Sequence, residues 1–153
     1  MDLILWRHAE AEDTEPDLAR NLTGRGREQA RSMAHWLHGY LPARARILCS
    51  PANRARQTAD ALALPYDIRA EIAPGRAADD LLKATGWPAG DGVVILVGHN
   101  PAISELAGRL LAGRPFAMRM CKAGALWLGS GTHDGEPGVV LKAAMVPSML
   151  QQR

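Results

Sequence analysis

The chain is short of several things, and each shortage excludes something. It has two cysteines, Cys49 and Cys121, in 153 residues. Two thiols build no disulfide framework, so an apolar core must carry the fold and a reduced, cytoplasmic setting is expected. Cys49 closes an apolar run and reads as a small core residue. Lysine is confined to Lys83, Lys122 and Lys142, and the more numerous arginines alternate with acids and alanines instead of forming a basic block. The net charge of +2 is too small to argue for nucleic acid or an anionic membrane as partner. No apolar stretch approaches the ~20 residues that cross a bilayer. Met1-Asp2 lacks the basic start of a signal peptide, and none is expected. There is no internal repeat, low-complexity tract or domain linker. No G-x-x-x-x-G-K-[ST] loop and no carboxylate cluster suited to Mg²⁺ occurs, which argues against an ATPase and against metal-assisted hydrolysis. His35 and His38 are two ligand types without a third, so a solvated helix face is the expectation there, and no metal or other cofactor is called for.

What is present fits a globular protein: 47% of residues are apolar and 22% charged. At this length one domain, residues 1–153, is expected. Leu3-Ile4-Leu5-Trp6 is an unbroken apolar run too short for a helix core. It reads as a strand covered on both faces. It ends abruptly in Arg7-His8. In open α/β sheets, ligands bind beyond the carboxyl ends of strands, which makes Arg7 and His8 site candidates.

An acidic, periodless loop over 9–17 follows. Thr23 is placed to cap a helix whose buried face is Ala30, Met33, Ala34, Leu37 and Leu41. Gly39 and Pro42 close it. Arg46 to Cys49 reads as a second buried strand, with Ser50 as N-cap and Pro51 as first residue of a helix running to about Leu64. Arg54 then falls in the first turn, beside free N–H groups and the positive end of the helix dipole, where anions bind. Pro65 to Ile72 reads as a short strand and Ala77 to Thr85 as a modest helix. Val93 to Val97 is the clearest strand. It leads into Gly98-His99, then Asn100 as N-cap and Pro101 opening another helix. Ala125–Leu128 and Val139–Ala143 are expected to form a hairpin at the sheet edge, with its turn spanning Gly129 to Gly138. Pro147 to Arg153 reads as a tail. The predicted fold is α/β, a three-layer α/β/α arrangement around a mostly parallel sheet.

Arg7, His8, Arg54 and His99 thus stand at strand ends or helix starts that can converge. Such a pocket is cationic, rich in N–H donors and suited to a tetrahedral dianion. With no metal site, covalent catalysis through a side chain is left, and histidine is a competent phosphate acceptor.

These residues resemble the histidine phosphatase superfamily, which includes the phosphoglycerate mutases. Four motifs carry the resemblance in order: Arg7-His8-Ala9; Leu22-Thr23-Gly24-Arg25-Gly26; Ser50-Pro51-Ala52-Asn53-Arg54-Ala55-Arg56-Gln57-Thr58-Ala59; and Gly98-His99-Asn100. Arg-His-Ala in place of Arg-His-Gly, the short chain, and Arg20-Asn21-Leu22-Thr23 make it most similar to the SixA-type phosphohistidine phosphatases. The resemblance implies a phosphoglycerate mutase-like fold and a phosphatase working through a phosphorylated histidine. It implies that His8 is the nucleophile and that Arg7, Arg54 and His99 clamp the phosphoryl group. Arg20 is a further contact. Larger relatives carry a general acid after the second helix, where Glu71 stands here; its other reading is a solvated strand-end carboxylate, with Glu10 and Glu12 as substitutes.

Leaving-group chemistry bears on the substrate. An alkoxide leaves badly without a proton, whereas imidazole accepts one near pH 6.5 and leaves readily. A short chain with little material for a lid suits a phosphohistidine displayed on a signalling protein. The alternative is a metal-independent phosphatase for a small phosphomonoester, such as a sugar or nucleotide-derived phosphate. A third reading is a phosphate-binding module without turnover.

Overall fold

Leu3, Ile4, Leu5 and Trp6 have no solvent exposure at all, although they are consecutive. Alternate side chains of a strand point to opposite faces, so both faces must be covered. The computed structural model describes residues 1–150 and shows how. Strand β1 (Asp2–Arg7) lies inside a six-stranded sheet with β2 (Ala45–Cys49), β3 (Asp67–Ile68), β4 (Val93–Gly98), β5 (Ala125–His133) and β6 (Glu136–Met145). The order across the sheet is β3-β2-β4-β1-β5-β6. The first four strands are mutually parallel, and β5 and β6 add an antiparallel edge.

Ile4 and Trp6 face one layer, together with Ile47, Ile95 and Val97. That layer is α1 (Gly24–His38) and α2 (Asn53–Asp60), which contribute Ala30, Met33, Ala34, Leu37, Ala55 and Ala59. Leu3 and Leu5 face the other, with Leu48, Val94 and Leu96. It is built from α3 (Ala78–Thr85) and α4 (Ala102–Ala112), through Ala78, Leu81, Ile103, Leu106 and Ala107. This is the expected three-layer α/β/α fold. His35 and His38 are exposed, as expected. Cys49 is buried, and burial foremost pushes its thiol up to about 12, as suits an inert core residue.

Several boundaries differ from the sequence reading for identifiable reasons. Helix α2 starts at Asn53 with Ala52 as its cap, not at Pro51; the Ser50 hydroxyl accepts from Ala52 N at 3.2 Å ahead of the helix and also bonds a histidine across the sheet end. It also stops at Asp60, short of Leu64. Only Asp67 and Ile68 of the 65–72 segment pair with β2. The chain then turns through a 3₁₀ turn, Ala70–Ile72, which brings Ile72 into the core. Asn100 does not cap α4; Pro101 does, while the Asn100 side chain binds the Met120 carbonyl and Ser104. The glycine-rich 129–138 stretch is strand up to a tight turn at Asp134-Gly135, whose φ values of 53° and 84° suit a two-residue hairpin. The hairpin does lie at the sheet edge. In place of a tail, Pro147 opens a short helix, α5 (Pro147–Leu150), and Leu150 packs on the α1 side of the sheet. Residues 151–153 of the expected tail lie outside the described residues.

Helix α1 begins where Thr23 Oγ1 accepts from Gly26 N at 2.9 Å, the expected cap. Gly26 has a second task. A Cβ there would run into the backbone carbonyl of Glu10, two residues beyond His8. Gly26→Ala is therefore expected to cost about 1–3 kcal/mol, the usual scale for overpacking. Its urea midpoint should fall, and activity with it. Gly24→Ala, in open space, should leave the midpoint nearly where it was.

Candidate active site

Strands β1, β2 and β4 end level with one another. Arg7 pairs with Gly98, and Cys49 with Val97. The pairing continues one residue further: His8 N donates to Gly98 O at 3.0 Å and Ser50 N to Val97 O at 3.1 Å. His8, Ser50 and His99 are thus brought side by side at the carboxyl edge of the sheet. The His8 and His99 ring centroids are 5.1 Å apart. From the far side, Ala123 N donates to His8 O at 3.0 Å and Arg7 Nη1 to Met120 O at 2.8 Å.

His8 is 8% exposed, so it is not at the solvent-facing strand end that an apolar run breaking off into Arg-His suggests. Its Nδ1 lies 2.7 Å from the Ala9 carbonyl. A carbonyl can only accept, so Nδ1 carries the proton and Nε2 keeps its lone pair. Burial is the main cause that lowers the His8 pKa to about 4; the bond to Ala9 opposes it, and the charges of Arg54, Arg7 and Arg20 assist. At neutral pH the ring is uncharged, with a free electron pair on Nε2.

His99 is also buried, and its Nε2 is 2.7 Å from Ser50 Oγ. Burial, then His8 and Arg54, lower its pKa to about 3. Arg54 is 4% exposed. Arg7 is pulled below its ordinary value by burial, against the opposing influence of Cys121. Among the described residues, four buried side-chain polar atoms have no partner, and three are Arg7 Nε, Arg54 Nε and His99 Nδ1. Buried polar groups are seldom left unpaired. Arginine N–H groups can only donate, so an unfilled cationic set beside a lone pair suits an oxyanion.

The motif residues hold this edge in place. Thr58 Oγ1 accepts from Ala9 N at 3.0 Å and donates to Arg54 O at 2.7 Å, linking the loop after His8 to Arg54. Gln57 Oε1 accepts from Leu22 N at 2.8 Å. Thr23 Oγ1 donates to Glu10 Oε1 at 2.9 Å, which turns the Glu10 carboxylate toward α1.

The structure therefore brings Arg7, His8, Arg54 and His99 together. Arg20 joins them indirectly: its Nε donates to Glu12 O at 2.7 Å and its Nη1 to Asp17 Oδ1 at 3.3 Å. Asp17 also holds Arg54. The Glu71 side chain bonds instead to Arg69, at 3.2 Å, and is half exposed. The bond from Arg69 is the main cause that holds its pKa below the ordinary value. Sequence reasoning passed over Asp17 and misread Ser50. Only the Asp17/Arg20 spacing, which suits an ion pair, could have drawn notice to the first.

The profile of the histidine phosphatase superfamily (branch 1) matches residues 3–77. The chain is 32% identical over 124 residues to the phosphohistidine phosphatase SixA of Escherichia coli (strain K12), covering 74% of this chain and 76% of that one. The chain belongs to the histidine phosphatase superfamily. This histidine phosphatase is also 29% identical to a SixA homolog of Haemophilus influenzae, over 93% of its own length and all of the relative's. A structure of the protein histidine phosphatase SixA complexed with tungstate superposes with a TM-score of 0.78 at 26% identity, covering 99% of this chain and 100% of that chain.

The two depressed histidine pKa values set a stability trend. Below pH 6.5 the unfolded chain takes up protons that folded His8 and His99 refuse until about pH 4 and 3. Stability is thus full above 6.5 and falls with pH, by about 1.4 kcal/mol per unit for each group. In urea titrations at pH 7 and pH 5, His8→Asn should shrink the loss between them by roughly 1–2 kcal/mol. An unchanged loss would mean that folded His8 titrates normally.

Glu71→Gln of the histidine phosphatase is expected to keep its phosphatase rate within about threefold, far from the 10²–10⁴ that a general acid contributes. Steady-state kinetics on the variant check this.

Proposed function

We propose that this histidine phosphatase removes the phosphoryl group from phosphohistidine on another protein, as the names of its SixA relatives describe for them. The observation that carries the reading is the set of unpaired, buried polar atoms, Arg7 Nε, Arg54 Nε and His99 Nδ1, beside an unprotonated His8 Nε2. A SixA structure to which the chain is similar holds tungstate, itself a tetrahedral oxyanion.

In this reading the Nε2 lone pair attacks phosphorus in line. The substrate's P–N bond breaks, and its electron pair returns to the departing imidazole. Arg7 and Arg54 offset charge on the equatorial oxygens. His8 keeps its Nδ1 proton on the Ala9 carbonyl, which stabilises the ring once Nε2 bears the phosphoryl group. Water then attacks the phosphorylated His8 and releases inorganic phosphate. Imidazole leaves without a strong acid, which fits the engagement of Glu71 with Arg69.

Among the described residues, no three His, Cys, Asp or Glu side chains form a group that could hold a metal ion. No helix among them is long and apolar enough to cross a membrane. A reducing, cytoplasmic compartment suits Cys49 and Cys121, both free.

The test is a comparison of kcat/KM on a histidine-phosphorylated protein domain and on a panel of phosphomonoesters, in excess EDTA. The phosphohistidine substrate should be preferred. A rapid quench with radiolabelled substrate should place label on His8, and His8→Ala should lose turnover by at least about 10³-fold. Preference for a sugar or nucleotide phosphate would move the assignment to a small-ester phosphatase. Binding without turnover would make the protein a phosphate-binding module.

A further inference from the structure

Asp17 lies in a short 3₁₀ turn, Asp17–Ala19, of the loop that follows His8. Its Oδ2 accepts from Arg54 Nη2 at 3.2 Å, and its main-chain carbonyl accepts from Arg54 Nη1 at 2.9 Å. Its Oδ1 accepts from Arg20 Nη1 at 3.3 Å. One guanidinium of the clamp thus grips both the backbone and the side chain of this residue. The Asp17 side chain is nonetheless 51% exposed. A carboxylate offers about four acceptor positions, so lone pairs remain open at the mouth of the site.

The charged and titratable groups facing Asp17 are Arg54 from α2, Arg20 from its own loop, and His99 from the end of β4. Burial acts to raise the Asp17 pKa, but the bonds and charges of Arg54 and Arg20 outweigh it and hold the carboxyl below its ordinary range. Asp17 is therefore an acceptor at neutral pH and a poor source of protons. An acceptor is of no use to an alcohol leaving from a phosphomonoester, which must be given a proton. The ring of a phosphohistidine differs. It has to hold a proton on the nitrogen not bonded to phosphorus, or it departs as an anion.

We propose that Asp17 accepts a hydrogen bond from that second ring N–H of the substrate and thereby selects phosphohistidine over phosphomonoesters. The proposal rests on the phosphohistidine reading above. His8 Nε2 supplies the pair for the new N–P bond. The old N–P bond breaks with its pair passing to the substrate nitrogen. The ring leaves as neutral imidazole, its other proton still directed at Asp17. No proton leaves or enters Asp17. The same carboxylate opposes esters by repelling leaving groups that are themselves anionic, while its hold on Arg54 bears on the phosphoryl oxygens of either substrate.

The experiment compares wild type, Asp17→Asn, Asp17→Ala and Asp17→Glu on a histidine-phosphorylated peptide and on p-nitrophenyl phosphate, from pH 5 to pH 9. Thermal unfolding of each variant separates misfolding from chemistry. In Asp17→Asn and Asp17→Ala, kcat/KM on the phosphopeptide is expected to fall roughly tenfold or more relative to the aryl phosphate, the scale of one hydrogen bond to a charged group. The KM for the aryl phosphate should fall as Arg54 is freed. The alkaline decline of phosphopeptide hydrolysis should move down by about one pH unit, since the ring N–H loses the carboxylate that raised its pKa. Asp17→Glu should regain part of the selectivity. A parallel loss on both substrates with an unmoved pH profile would overturn the proposal and make Asp17 a strut for Arg54. A parallel rise on both would overturn it as well and make Asp17 a plug. Wild-type protein that cleaves the aryl phosphate but not the phosphopeptide would refute the phosphohistidine reading itself, and this inference with it.

Discussion

The hydrogen bond from His8 Nδ1 to the Ala9 carbonyl decides the state of the whole site. It is local, spanning one residue, yet everything nearby must agree with it. It fixes which nitrogen is free. It ties the ring to a backbone that is itself fixed, because His8 N is bonded to Gly98 O and His8 O to Ala123 N. Burial keeps the ring uncharged, which is what permits two arginines to sit beside it. A protonated His8 would repel Arg7 and Arg54, which Met120 O and Asp17 hold beside it.

Much of the chemistry-bearing set was legible from local pattern. Arg7-His8, Arg54 and Gly98-His99 each stand where a buried apolar run gives way to a polar start, and a parallel sheet places such junctions at one edge. What escaped the sequence depended on contacts between distant segments. Asp17 sits in an acidic loop with no periodicity, and its meaning comes from Arg54, 37 positions later. Ser50 has the composition of a helix cap, but its hydroxyl, which accepts from Ala52 N ahead of the helix, also bonds His99, 49 positions away. Glu71 occupies the neighbourhood expected of an acid, and Arg69, two residues before it, claims its carboxylate.

The motif residues with no direct part in chemistry also gain a physical account. Thr58, Gln57, Thr23 and Gly26 join the loop after β1 to two helices, by two side-chain acceptors, one cap and one close backbone approach. The loop that carries His8 is thus held by the layer of helices behind it as well as by its own strand.

The wall opposite His8 comes from very late in the chain. Trp6 Nε1 donates to Ala123 O across a separation of 117 residues, Arg7 reaches Met120 across 113, and β1 pairs on that side with β5. A chain emerging from the ribosome therefore displays its Arg-His pair long before the segment that shapes it exists. Until Met120 to Leu128 has been synthesised, β1 lacks its partner strand on that side and the His8 carbonyl lacks the N–H of Ala123. The surroundings of the Arg-His pair are completed only late in synthesis, and a product truncated before Met120 would carry the motif without them.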